Sequence, residues 1–192
     1  MIIKNSLGLS CEFLPNGSVK SLSVDLIRIN LRASTPFSRP GTNLYLRKRG
    51  TSFEFTPLLG PESNSLFTVA NNQFFAKGTW ADLDYTCLLQ LSTHSLSWQW
   101  TVEIKNLSPA SVELDVIYVQ DAGLKPLNSS LINEHYVAQY LERRILQDKT
   151  FGAVACCRQN MRESTGHPWF ILGCKSTVNS ASVDGIDRKS VV

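Results

Sequence analysis

Polar side chains gather at both ends of the segment NEHYVAQYLERRILQDKTFGAVACCRQN, residues 133–160. Amides, carboxylates and guanidinium groups present several hydrogen-bond donors and acceptors in fixed directions, which suits the hydroxyl groups of a sugar. Tyrosine rings between them offer a flat apolar contact with a polar tip, which suits the face of a sugar ring. This segment therefore supplies seven candidate substrate-binding residues: Asn133, Glu134, Tyr136, Gln139, Arg158, Gln159 and Asn160.

A second interpretation of the same residues stays open. Polar groups at the two ends of a hairpin would lie together, and they could form a buried network that fixes loop geometry. The tryptophans raise the same choice. Trp98 and Trp100 alternate with aliphatic residues, as core residues of a strand do, whereas Trp169 follows Pro168 in a less regular stretch and fits either a core or a sugar-facing position.

Motifs for phosphate binding, nucleophilic catalysis or metal binding are missing from the sequence. The sequence has no glycine-rich phosphate loop, no Gly-x-Ser-x-Gly turn and no His-Glu-x-x-His motif. Its three histidines are widely spaced, so we predict neither a metal site nor a cofactor. Asp121, Glu134 and Glu142 could in principle pair as glycosidase-type carboxylates, but each is more simply explained as a structural hydrogen-bonding group. We assign no catalytic residue.

Length and composition indicate a globular chain of one domain, or of one domain and a fraction. The chain has 192 residues, of which 43% are apolar and 18% charged, with a net charge of +3. The basic residues are scattered, so a nucleic-acid partner is not expected. The N-terminus lacks the apolar core of a signal peptide, and no stretch is long and apolar enough to span a membrane. Five cysteines without framework spacing agree with a cytoplasmic location and with small buried side chains.

Alternating apolar and polar residues dominate the first two thirds of the chain and predict an all-β fold. In DYTCLLQLS the residues Tyr85, Cys87 and Leu89 share one face, and in SLSWQWTVEIKN the shared face runs from Leu96 to Ile104. Turn sequences such as PNGS, RPGT and KNLSPAS separate these runs. In SLSVDLIRINLR the parity of the apolar residues changes after Leu26, which predicts a β-bulge.

One segment is ambiguous between helix and strand. Val137, Leu141 and Ile145 recur every four residues, and Asn133 could cap a helix that contains them. The alternative is a hairpin in which HYVAQYLERRIL is the first strand, QDKTFG the turn and AVACCRQNM the second strand. The all-β context favours the hairpin.

Several motifs in one order resemble a known enzyme family. DVIYVQDAGL, then NEHYVAQYLERRIL, then FGAVACCRQN resemble the N-terminal region of the 1,2-β-oligoglucan phosphorylases and cyclic β-1,2-glucan synthases, which are related to cellobiose and chitobiose phosphorylases. PLLGPES and WQWTVEIKN also resemble sequences of this family. Gln120 and Asp121 belong to the first motif, and the resemblance adds them to the candidate substrate-binding residues.

The resemblance implies an antiparallel β-supersandwich of the galactose-mutarotase type. In the family this domain precedes an (α/α) toroid, which holds the catalytic acid and the phosphate site for inverting phosphorolysis, and it helps to shape the sugar pocket and the dimer. These 192 residues contain no segment that resembles the toroid, and we expect the sandwich to be incomplete at its C-terminal end. We therefore expect residues 1–175 to form the sandwich and residues 176–192 an edge strand, a tail or a linker, in a chain that is inactive alone.

Three hypotheses follow from these observations. The first is a non-catalytic N-terminal domain of a β-glucan phosphorylase or related glycosyltransferase, with a β-glucan oligosaccharide and the missing toroid as partners. The second is an independent carbohydrate-binding module, suggested by the tryptophan and tyrosine content. The third is a structural domain that mediates formation of a homodimer.

Overall fold

A computed structural model describes residues 1–38, 40–50, 54–126, 128–129, 133–164, 166–176 and 181–183. The chain forms two compact units. The first comprises Met1–Asp25 and Arg32–Asp121, and the second comprises Leu26–Leu31 and Ala122–Val192. The expected edge strand or tail at 176–192 lies almost entirely outside the described residues.

The described residues of the first unit form three antiparallel sheets. One sheet contains β1 (Ile2–Lys4), β2 (Leu9–Phe13) and β3 (Val19–Val24) in sequence order. The strand β4 (Ile27–Arg28) follows β3 in the chain but belongs to the second unit. The other two sheets of the first unit are β11 (Leu114–Val119), β5 (Asn43–Lys48) and β6 (Glu54–Pro57), and a meander of β7 (Leu66–Ala70), β8 (Gln73–Trp80), β9 (Leu83–Leu91) and β10 (Trp98–Asn106).

Two tight turns set the register of the meander. Asn71 and Asn72 join β7 to β8, and Ala81 and Asp82 join β8 to β9. All four residues have positive φ, between 50° and 63°. Positive φ at both central residues defines the type I′ turn, whose twist matches that of the flanking strands. Asn72 also binds the backbone of Lys4, accepting from its N–H at 2.9 Å and donating to its carbonyl.

Aromatic stacking joins two of these sheets face to face. The ring of Phe13 on β2 lies flat on that of Phe74 on β8, with centroids 3.7 Å apart and planes 4° apart. Trp100 on β10 meets Phe74 edge-on at 6.1 Å. Phe13 and Phe74 are buried, and Trp100 is half-buried. This contact between sheets is the defining feature of a β-sandwich core, and the predicted all-β antiparallel fold is confirmed.

Two predictions for the first unit are wrong in detail. The change of parity after Leu26 marks a turn and not a bulge, because β3 ends at Val24 and Asp25 has a φ of 49°. The register shift instead lies between Glu12 and Phe13, where β2 pairs with β3. Leu96 precedes β10 and is exposed, so the apolar face begins at Trp98.

The part of the second unit that the structure describes includes a pair of antiparallel strands, a three-stranded antiparallel sheet and a short helix. The strand β4 pairs with β12 (Lys125–Pro126). The helix α1 (Glu134–Gln139) leads into a sheet of β13 (Leu141–Asp148), β14 (Gly152–Gln159) and β15 (Trp169–Leu172), in that order. Its buried apolar residues are Ile29, Ala122, Leu124, Val137, Ala138, Leu141, Val154, Cys157 and Phe170.

The ambiguous segment is helix at its start and hairpin in its remainder. The side chain of Asn133 accepts a hydrogen bond from the N–H of Tyr136 at 2.9 Å, which is the capping contact that belongs to the helix alternative. Residues 135–139 are therefore helical, and the prediction that HYVAQ belongs to the first strand is wrong. From Leu141 to Gln159 the hairpin prediction is confirmed.

No helix among the described residues has both the length and the apolar character needed to cross a membrane.

Candidate functional site

The nine candidate residues fall into two groups. Gln120 and Asp121 end the first unit, and the seven residues of the segment 133–160 belong to the second unit. Among the residues that the structure describes, no group of three or more histidine, cysteine, aspartate or glutamate side chains is placed to hold a metal ion.

Gln120 and Asp121 take part in a dense hydrogen-bonded cluster after β11. The carboxylate of Asp121 accepts from Thr42 Oγ1 at 2.8 Å and from the N–H of Arg32 at 2.9 Å. The amide of Gln120 donates to Thr42 Oγ1 at 2.9 Å and accepts from the hydroxyl of Tyr118 at 2.6 Å. Burial raises the pKa of Tyr118, so this hydroxyl stays protonated as a donor. The cluster ties the end of β11 to the loop before β5.

Gln159 lies at the centre of a buried network in the second unit. Its side chain is 0% exposed, and its amide nitrogen donates to the carbonyls of Gly123 at 3.0 Å and Val137 at 3.1 Å. Its amide oxygen accepts from the N–H of Met161 at 3.0 Å. Gln159 therefore joins α1, the segment before β12 and the loop after β14, as the buried-network interpretation of the sequence describes.

Two tyrosines are exposed around the C-terminal end of α1. Tyr136 and Tyr140 meet edge-on with ring centroids 5.0 Å apart, and a hydrogen bond with Tyr136 raises the pKa of Tyr140. Gln139 is exposed beside them, and Glu134 is half-buried in the first turn of the helix. The backbone N–H of Asn160 donates to the carbonyl of Tyr140 at 2.9 Å, which continues the pairing of β13 with β14 and places Asn160 opposite Tyr140.

Arg158 lies on the opposite face of β14 from Gln159, because neighbouring residues of a strand point to opposite sides. The strand register pairs it with Glu142 on one side and Trp169 on the other. These three side chains therefore form a row across the outward face of the sheet, which we call the β13–β15 row. Trp169 is 67% exposed and Arg158 is also exposed, while Glu142 forms an ion pair with Arg144.

The sequence analysis singled out each residue of this row, but it did not predict that the three lie side by side. Arg158 is a candidate binding residue, Glu142 a candidate carboxylate, and Trp169 fits either environment. Only the pairing of β13, β14 and β15 brings the three together. The alternation in WFIL, where Trp169 and Ile171 are exposed and Phe170 is buried, is the local signal for the outward position of Trp169.

The cysteines fit a structural role better than a chemical one. Cys11, Cys87 and Cys157 are buried, Cys156 is half-buried and Cys174 is exposed. Burial raises the pKa of Cys87 to about 12 and raises the pKa of Cys11 and Cys157. A raised pKa keeps these thiols protonated, whereas a nucleophile needs the thiolate. The prediction of small buried side chains holds for these three.

Comparison with known proteins relates this chain to a domain family and to a phosphorylase. Residues 12–189 match the family model described as the SOGP N-terminal domain. The chain is 25% identical over 180 residues to a 1,2-beta-oligoglucan phosphorylase of Listeria innocua serovar 6a. The similarity covers 93% of this chain and 16% of that enzyme, so the chain spans a small part of its relative's length.

Proposed function

The chain belongs to the family of SOGP N-terminal domains, and on that basis we propose that it is the non-catalytic β-sandwich domain of a phosphorylase that acts on β-glucans. The observation that carries the proposal is the match of residues 12–189 to a domain family, together with similarity to 16% of a 1,2-beta-oligoglucan phosphorylase. In this proposal the chemistry of phosphorolysis belongs to the remainder of such an enzyme, and this chain shapes the surface on which the glucan lies.

The arrangement of side chains supports a positioning role. The buried amide of Gln159 and the carboxylate of Asp121 have their oxygens occupied by backbone N–H or hydroxyl donors. They hold loops, and the exposed residues Tyr136, Arg158 and Asn160 lie on elements that Gln159 helps to fix. Such a buried network keeps an adjacent surface in one geometry. In this proposal the buried candidate residues build the surface and the exposed ones face the ligand.

A chimera with the Listeria relative tests this proposal. One variant of the relative lacks the segment that aligns with this chain, and a second carries this chain in its place. We expect the deletion variant to release no glucose 1-phosphate from β-1,2-linked glucotriose and phosphate, and the chimera to recover at least about a tenth of the native rate. A rate that falls tenfold is a loss of about 1.4 kcal/mol of transition-state stabilisation, which imperfect packing between the two parts can cause.

The outcome that contradicts the proposal is a soluble, folded chimera without turnover. An independent carbohydrate-binding module would give that result, since it needs no phosphorylase around it. A domain that only mediates dimerisation would give a chimera whose rate follows its oligomeric state, which sedimentation velocity measures on the same sample. The three hypotheses therefore predict different results for the same set of variants.

A further inference from the structure

We propose that the β13–β15 row, formed by Glu142, Arg158 and Trp169, is a binding platform for β-linked gluco-oligosaccharides. The proposal rests on the proposed function for its class of ligand. The platform itself follows from the pairing of β13, β14 and β15.

Register places the three groups at neighbouring positions. Arg158 is directly paired with Trp169 in β15 and with Glu142 in β13. Side chains at directly paired positions stand on the same face with their Cβ atoms about 5 Å apart. The row is therefore about 10 Å from Glu142 to Trp169, a span comparable to two sugar rings. One flat ring, one guanidinium and one carboxylate thus line a continuous strip.

The chemistry of the strip matches a pyranose. An indole that is 67% exposed offers a large rigid surface for the apolar face of a sugar ring. The guanidinium of Arg158 presents several donors, and among the described residues it has no ion-pair or hydrogen-bond partner that would compete with a ligand. The carboxylate of Glu142 is held by its ion pair with Arg144 and keeps a second oxygen for a sugar hydroxyl.

The platform is rigid on its inner side. Phe170 and Cys157, the neighbours of Trp169 and Arg158 along their strands, are paired with each other and buried. The carbonyl of Pro168 accepts from the N–H of Gln159 at 2.9 Å, and the ring of His167 lies 3.2 Å from the carbonyl of Gln159. The backbone on both sides of Trp169 and Arg158 is thus fixed, so a ligand does not have to order it.

Titration of the ¹⁵N-labelled 192-residue chain with β-1,2-linked glucotriose tests the proposal. We expect a saturable shift of the Trp169 indole N–H signal with a dissociation constant on the order of 1 mM, since a shallow open platform gives weak binding. Mannitol at the same concentration should cause no saturable shift, because it carries hydroxyl groups without a ring face.

Variants assign the binding to the row. Trp169→Ala should abolish the saturable shifts of neighbouring amides, and Arg158→Met should weaken binding at least threefold. Two exposed apolar residues serve as matched controls: Leu146→Ala on the same hairpin and Phe37→Ala, whose ring is 93% exposed in the first unit, should leave the affinity unchanged. Each variant is accepted only with an unchanged circular dichroism spectrum and melting temperature.

Two results would overturn the platform. One is the lack of saturable binding by the wild-type chain, or equal binding by Trp169→Ala. The other is a Trp169 signal that depends on protein concentration and not on sugar, which would make this face a contact between copies of the chain. Neither result touches the proposed function, because the chimera reports phosphorolysis and this titration reports binding by the chain alone.

Discussion

The three consecutive residues Arg158, Gln159 and Asn160 combine two roles that the sequence could not separate. Alternation along β14 turns Gln159 inward and Arg158 outward, so a motif of similar polar residues divides between a buried network and an open surface. A polar group that is fully buried must find partners, and Gln159 has three. Because of this difference in surroundings, we expect the two residues to contribute differently to the free energy of unfolding.

Substitution of each residue by alanine should show that difference. Gln159→Ala leaves two carbonyls and one N–H unpaired in the interior and opens a cavity, so we expect the free energy of unfolding to fall by about 3 kcal/mol. Arg158→Ala should change it by less than about 0.5 kcal/mol, because the side chain is exposed. Urea unfolding followed by fluorescence measures both. Equal losses for the two variants would show that Arg158 also belongs to the interior network.

At the scale of elements, the boundary between α1 and β13 shows what periodicity can and cannot predict. Asn133 correctly marks a helix start, and the alternation in GAVACCRQ correctly marks a strand. Val137 and Leu141 are four residues apart and both buried, which suggests one continuous helix face. In the structure Val137 is buried from α1 and Leu141 from β13. The spacing of apolar residues indicates that both are buried. It does not indicate that one belongs to a helix and the other to a strand.

The turn between β8 and β9 offers a direct test of a local conformation. Ala81 has a φ of 50°, where its Cβ is in steric conflict with the backbone. Ala81→Gly removes that conflict and should raise the free energy of unfolding by about 1 kcal/mol. Ala76→Gly is the control, because Ala76 is buried within the extended strand β8 and glycine should destabilise it. A destabilised Ala81→Gly variant would contradict the type I′ assignment.

The pairing of β5 with β11 should give the first unit a measurable pH dependence. Asp115 on β11 accepts hydrogen bonds from Arg49 Nε at 2.7 Å and from Arg47 Nε at 2.8 Å. Both hydrogen bonds lower the pKa of Asp115, and the one from Arg49 has the larger effect. A carboxylate whose pKa is lowered by folding stabilises the native state above its unfolded pKa of about 4. That contribution is lost as the pH falls through the lower, folded pKa.

We therefore expect Asp115→Asn to lower the urea midpoint at pH 7 and to approach the wild-type midpoint as the pH falls below about 4. Arg49→Met made in the Asp115→Asn background should have little further effect, since its partner carboxylate is gone. A stability difference between wild type and Asp115→Asn that stays constant from neutral to acidic pH would refute the proposed role of this carboxylate.

At the scale of the whole molecule, many of the charged side chains are paired with one another. Several basic side chains already have acidic partners: Lys20 with Glu12, Arg47 and Arg49 with Asp115, Lys125 with Glu163, and Arg144 with Glu142. Basic groups that are neutralised by carboxylates are poorly suited to binding a free phosphate, which needs convergent unpaired donors.

This distribution predicts that the 192-residue chain has no phosphorolytic activity of its own. Phosphorolysis of a glycosidic bond needs a positioned acid for the leaving oxygen and a phosphate held at the anomeric carbon. Incubation with β-1,2-linked glucotriose and phosphate should therefore release glucose 1-phosphate at the rate of a buffer control, as measured by a coupled enzymatic assay. The intact Listeria enzyme serves as the positive control under the same conditions. Release above background by the isolated chain would make Asp121, Glu134 and Glu142 candidates for a catalytic set, and their single amide variants would then identify the acid.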